Sequence, residues 1–142
     1  MILPNSLNKG DKIGLVSTAR YISRRELKTA IEVLEKWGLN VILGVNIFCN
    51  NEQFAGTDLE RAADLQMMIN DNSIKAILCT RGGYGTARII DLIDFTNLFK
   101  YPKWIIGYSD ITVLHTHINK LGLASLHATM PINFNTNTSN AL

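Results

Sequence analysis

The sequence is poor in cysteine and has no long apolar run. It contains only Cys49 and Cys79, with no C-x-x-C pair, which excludes a disulfide framework. No stretch approaches the roughly 20 apolar residues that a membrane-spanning helix needs. Residues 1–5 also lack the charged and apolar regions of a secretory signal peptide. We therefore expect a protein of the reducing cytoplasm that has no membrane as a partner.

The sequence also has no large excess of positive or negative charge. The formal net charge is +2 and charged residues make up 18% of the chain, so a nucleic acid is not an expected partner. The length of 142 residues and the hydrophobic fraction of 46% suit one globular domain with a sizeable core.

Hydrophobic periodicity predicts strands that alternate with helices. Two capping boxes, Ser23-x-x-Glu26 and Thr57-x-x-Glu60, begin the first two helices. Two further helices are predicted at 86–93 and 111–121. The predicted strands are 12–17, 40–43, 76–80, 103–107 and 123–126. This alternation favours an α/β fold with a parallel sheet and helices on both faces.

The segment Gly107-Tyr108-Ser109-Asp110 lies where an apolar strand ends and a helix begins. A serine on such a strand-to-helix turn exposes its hydroxyl, and the next backbone N–H provides half of an oxyanion hole. The pattern departs from G-x-S-x-G, because Ile111 occupies the place of the last glycine. Helix capping by the serine or the aspartate is the structural alternative.

A glycine-rich turn, Arg81-Gly82-Gly83-Tyr84-Gly85, follows the third predicted strand. It matches neither the Walker pattern nor the dinucleotide fingerprint, which should also follow the first strand. A structural tight turn is one interpretation of it. The other is that an amide of Gly82 or Gly83 supplies the second oxyanion donor.

A serine nucleophile also needs a base and a carboxylate that orients it. The histidines are His115, His117 and His127, of which His115 shares an apolar helix face and is predicted to be a core residue. No Asp or Glu follows Asp110. In elbow-type hydrolases the chain order is Ser, then acid, then His, so we expect both partners beyond Leu142. Residues 133–142 are polar and are predicted to begin an interdomain linker.

Three segments together resemble the LD-carboxypeptidases, which are muramoyltetrapeptide carboxypeptidases with relatives that inactivate microcin C. The segments are 10–17, the R-G-G-Y-G turn at 81–85 and the I-G-Y-S-D-I-T run at 106–112. The resemblance extends from about residue 9 to residue 130. One departure is the run 127–131, His-Ala-Thr-Met-Pro, where relatives often have a His-Gly-Pro-Met-like sequence.

The resemblance implies a flavodoxin-like or class I glutamine amidotransferase-like α/β domain at 1–132. It implies Ser109 as the nucleophile and the backbone amides of Gly83 and Asp110 as the oxyanion hole. The family's Glu and His would belong to a C-terminal domain that this chain lacks. The implied reaction is hydrolysis of the amide bond before a terminal D-alanine in cytoplasmic murein tetrapeptides, without metal or cofactor, by a homodimer.

Three interpretations remain open from the sequence. The first is the N-terminal half of an LD-carboxypeptidase. The second is an immunity hydrolase that acts on a peptide-nucleotide of the microcin C type. The third is a non-catalytic α/β module that binds a ligand.

Overall fold

A single parallel sheet organises the protein. The computed structural model describes residues 1–136 and contains five strands in the order β2-β1-β3-β4-β5. Every neighbouring pair of strands is parallel. The strands are β1 (Lys12–Val16), β2 (Asn40–Leu43), β3 (Ile74–Cys79), β4 (Trp104–Gly107) and β5 (Leu126–His127).

Five helices connect these strands, and the first two begin where the sequence predicts. Ser23 and Glu26 form a reciprocal capping box at the first helix, and Thr57 and Glu60 form another at the second. The helices are α1 (Arg24–Lys36), α2 (Asp58–Asn70), α3 (Thr86–Ile89), α4 (Asn97–Lys100) and α5 (Thr112–Lys120). None of the helices within residues 1–136 is long and apolar enough to cross a membrane.

The sheet is buried on both faces, which confirms the predicted α/β architecture. Consecutive strand residues point to opposite faces, so Ile77 packs in one apolar cluster and Leu78 in the other. The first cluster contains Leu65 of α2 and Leu114 of α5. The second contains Leu27 of α1. Helices therefore cover both faces of a parallel sheet.

Three elements differ from the sequence-based expectation. The helix predicted at 86–93 is α-helical only over 86–89 and continues as a 3₁₀ turn over 90–92. Strand β5 was expected at 123–126 but pairs with β4 only at residues 126 and 127. The start of that apolar run is used elsewhere, because Leu123 forms a bridge with Ile2 near the N-terminus. Helix α4 was not predicted, since one helical turn is too short to show a hydrophobic period.

The order of strands brings the suspected segments to one edge. Strand β1 has β2 on one side and β3 on the other, so the direction of winding reverses between β1 and β3. Ligands of open parallel sheets bind at the carboxyl ends of strands beside such a reversal. The glycine turn 81–85 follows the carboxyl end of β3, and the turn that carries Ser109 follows the carboxyl end of the neighbouring strand β4.

The chain after β5 returns across this edge. The backbone N–H of Ile132 donates to the carbonyl of Thr80, and Phe134 is buried against the α1 side of the sheet. The linker predicted at 133–142 falls mostly outside the described residues, and the domain boundary stays a prediction.

Candidate active site

Ser109 lies on a strained turn directly after β4. Its φ is +59°, a left-handed value that only a few non-glycine residues adopt. Residues 109–111 then form one turn of 3₁₀ helix that leads into α5. The serine itself is exposed to solvent. This is the geometry of a nucleophile elbow, in which backbone strain holds the hydroxyl clear of the sheet.

The missing second glycine of the elbow has a packing explanation. Ile111 occupies that position and is fully buried. A Cβ atom added to Gly107 would lie 2.8–3.0 Å from three atoms of the Ile111 side chain. Gly107 therefore makes room for Ile111, and the elbow here needs only its first glycine.

The glycine turn lies against the serine. A Cβ atom added to Gly82 would be 3.3 Å from the Oγ of Ser109 and 3.4 Å from the backbone nitrogen of Asp110. The backbone N–H of Thr86 donates to the Asp110 carboxylate at 3.0 Å. The two motifs that the sequence analysis singled out are thus in direct contact, and the Asp110 side chain joins them.

Each of the two motifs contains a backbone N–H group that has no partner among the described residues. The N–H groups of Gly83 and Asp110 donate no hydrogen bond to any other residue between 1 and 136. Gly83 has a φ of +104°, which a glycine adopts without strain. Unpaired N–H groups beside a nucleophile are what an oxyanion hole requires. The assignment of these two amides to an oxyanion hole remains a prediction.

The three histidines have different surroundings. His115 is buried, and its ring nitrogens lie 2.8 Å from the Gly107 carbonyl oxygen and 2.7 Å from Ser125 Oγ. Both nitrogens are therefore engaged, as expected for a core histidine. His117 packs against Phe95. His127 is exposed, with its ring centre 6.1 Å from that of Tyr108.

The nearby cysteine does not offer a reactive thiolate. Burial raises the pKa of the Cys79 thiol to about 12, so it stays protonated at neutral pH. Among residues 1–136, no three His, Cys, Asp or Glu side chains are grouped closely enough to hold a metal ion.

Arg61 is a structural residue of the site that the sequence analysis missed. It is 1% exposed, and its guanidinium donates to the carbonyls of Thr18, Gly56 and Gly85. It therefore fixes both the segment after β1 and the end of the glycine turn. The sequence held one signal, because Arg61 shares a helix face with the buried residues Leu65 and Met68.

Asn133 was also missed, because it lies in the segment predicted as linker. Its side-chain oxygen accepts a 2.6 Å hydrogen bond from the hydroxyl of Tyr108, the residue before the serine. The returning chain thus holds one side of the elbow.

Comparison with known proteins identifies the family. Residues 13–128 match the model of the LD-carboxypeptidase N-terminal domain. The chain belongs to this family. A probable murein peptide carboxypeptidase of Bacillus subtilis is 45% identical over 128 residues, which are 89% of this chain and 40% of that protein.

Two further relatives are named MccF or MccF-like. The microcin C7 self-immunity protein MccF of Escherichia coli is 28% identical over 89% of this chain and 38% of its own length. The crystal structure of an MccF-like protein from Bacillus anthracis superposes with a TM-score of 0.89 at 27% identity, over 97% of this chain and 43% of that one. The chain thus spans about 40% of the length of the curated relatives it matches.

Proposed function

We propose that this chain carries the nucleophile of a serine-type LD-carboxypeptidase. The observation that carries the proposal is the strained, exposed Ser109 with the glycine turn in contact with it. A serine whose only task was to cap a helix would not need a left-handed backbone, since capping residues have extended dihedrals. The substrate would be a murein tetrapeptide, and the bond cleaved would be the amide before its terminal D-alanine.

In the proposed reaction Ser109 Oγ attacks the carbonyl carbon of that amide. The oxyanion that forms would accept hydrogen bonds from the N–H groups of Gly83 and Asp110. The acyl-enzyme would then be hydrolysed by water after D-alanine leaves. Removing one donor from such a hole typically lowers kcat by about 10²–10³-fold.

The proton of Ser109 needs a base, and His115 cannot serve because both of its nitrogens are hydrogen-bonded. We assign the base and its carboxylate to a His and a Glu in the part of the relatives that this chain does not span. The 142 residues alone should therefore retain only the residual catalysis of an incomplete triad, on the order of 10³–10⁴ over water. That is too slow to detect for a peptide bond in an ordinary assay.

Release of D-alanine tests the proposal. The 142-residue chain and the full-length protein that carries it would each be incubated with a purified murein tetrapeptide. We expect D-alanine from the full-length protein only. Turnover by the shorter chain at a comparable rate would show that a base within it, with the exposed His127 as the first candidate, is sufficient.

The second candidate substrate is a peptide-nucleotide of the microcin C type. The close structural match to the MccF-like protein favours it, although the murein peptide carboxypeptidase is the more similar in sequence, at 45% against 28% identity. An aminoacyl sulfamoyl nucleoside in the same assay separates the two. Preference for the tetrapeptide supports murein hydrolysis, and preference for the nucleoside supports immunity.

The setting of the reaction belongs to the same proposal. We place the enzyme in the cytoplasm, acting on recycled cell-wall peptides, as a homodimer. Cell fractionation and light scattering of the full-length protein test these two points.

A further inference from the structure

The side chain of Arg20 lies across the glycine turn. Its backbone N–H donates to the carbonyl of Gly82 at 3.4 Å. A Cβ atom added to Gly83 would be 2.4 Å from Arg20 Cδ and 3.0 Å from Arg20 Nε. The absence of a side chain at Gly83 therefore leaves room for the Arg20 side chain along the turn. Arg20 is exposed and borders the same turn that contacts Ser109.

The guanidinium of Arg20 is free, whereas the neighbouring arginines are engaged. Arg20 forms no ion pair or side-chain hydrogen bond with any other residue in the described range 1–136. Arg61 is buried and donates to three carbonyls. Arg81 donates to the Tyr21 carbonyl, and Arg88 pairs with Asp58. The turn beside the nucleophile thus carries one guanidinium whose donors face solvent.

A carboxypeptidase substrate offers a group that fits this guanidinium. When the last amide bond of a peptide is cleaved, the free carboxylate lies one residue beyond the scissile carbonyl. Standard bond lengths place the two carbons within about 4 Å of each other. Arginine matches a carboxylate with two parallel N–H bonds, and such charge-assisted pairs are stronger than neutral ones.

We propose that Arg20 binds the terminal carboxylate of the peptide that Ser109 attacks, so that it selects for cleavage at the C-terminus. This inference rests on the function proposed above. Gly83 then has two proposed tasks, since its N–H is the proposed oxyanion donor and its bare α-carbon leaves room for the Arg20 side chain. Endopeptidase activity would be disfavoured, because an internal residue has no carboxylate for Arg20.

Equilibrium binding tests the inference without turnover. The full-length protein with Ser109→Ala would be titrated calorimetrically with a murein tetrapeptide and with the same peptide as its C-terminal amide. We expect the free acid to bind about 10–100-fold more tightly, as for a hydrogen bond to a charged group. Arg20→Gln should abolish that preference, and Arg20→Lys should retain part of it. Glutamine keeps the Cγ and Cδ atoms that pack on Gly83.

Arg25→Gln is the matched control, because Arg25 is another exposed arginine, in the first turn of α1. It should leave the preference for the free acid unchanged. Retention of the preference in Arg20→Gln, or an equal loss in Arg25→Gln, would overturn the inference. So would equal binding of acid and amide by the protein with Arg20 intact.

Hydrolysis by the protein with Ser109 intact separates this inference from the proposed function. If D-alanine is released and Arg20→Gln has unchanged kcat/KM on the free acid, Arg20 is not the carboxylate site although the reaction is correct. If binding depends on Arg20 but no D-alanine is released, the carboxylate site is correct and the proposed reaction is wrong.

Discussion

Replacing Arg61 by methionine should destabilise the protein strongly, although the substitution preserves an unbranched apolar chain of similar length. The guanidinium lies in the interior, with 1% of the residue exposed. Its donors reach the carbonyls of Thr18 at 3.0 Å, Gly56 at 2.9 Å and Gly85 at 3.3 Å. Methionine offers no donor, so these three acceptors would lose this partner at once.

The expected magnitude follows from those three hydrogen bonds. A buried acceptor that loses its partner costs about 1–3 kcal/mol. Because each carbonyl oxygen has two lone pairs and the site can relax, we take the lower part of that range and expect a loss of about 3–5 kcal/mol. That is a large share of the roughly 5–15 kcal/mol by which a domain is stable.

Urea denaturation of the 142-residue chain, followed by circular dichroism, measures this loss directly. The midpoint should fall while the slope of the transition is unchanged. Arg88→Met is the matched control, because Arg61 and Arg88 both pair with Asp58 but the Arg88 side chain lies in solvent. Its effect should be far smaller. A loss below about 1 kcal/mol in Arg61→Met would refute the reasoning, because the buried carbonyls of Thr18 and Gly56 would lose their donor, and only Gly85 keeps another one, the N–H of Arg88.

Two further predictions concern the site and its pH dependence. Gly82→Ala should lower kcat/KM of the full-length enzyme by about 10–100-fold, because the new methyl group would displace Ser109 and the Asp110 amide slightly. The urea midpoint should hardly move. Unchanged kinetics would contradict the contact between Gly82 and Ser109. The pKa of Asp58 lies below its ordinary value of 3.8, first because Arg88 donates to it and also because Arg61 does. Its contribution to stability is therefore complete above that ordinary value and is lost as the pH falls through the lower folded value. Asp58→Asn should accordingly reduce stability at pH 7 and have a diminishing effect towards pH 2, as followed by urea titrations across that range.

Local chemistry in the sequence predicted the scaffold well. Each capping box predicts the residue at which a helix begins, and α1 and α2 begin as expected. Strand β2 has the predicted bounds because Gly38 ends the preceding helix and the apolar residues follow at once. The turn that carries Ser109 was also recognisable from local sequence, because the strand, Gly107 and the polar residues Ser109 and Asp110 lie close together in the chain.

The parts that escaped prediction depend on residues far apart in the chain. The Asp110 carboxylate accepts from the N–H of Thr86, 24 positions away, and no sequence pattern couples them. The role of Arg61 escaped prediction, because its carbonyl partners lie in loops whose path the sequence does not reveal. Asn133 belongs to a polar segment, and only the return of the chain over Thr80 places it beside Tyr108.

The most direct test of the central claim is the kinetic effect of Ser109→Ala in the full-length enzyme. The rate of D-alanine release from a murein tetrapeptide would be compared with that of the unmodified protein and of Ser6→Ala, a serine in the segment before β1. Loss of a triad nucleophile should lower kcat by about 10⁵–10⁶-fold, and Ser6→Ala should leave it unchanged. A fall of less than about tenfold in Ser109→Ala would contradict the account, because Ser109 would then be only part of a turn.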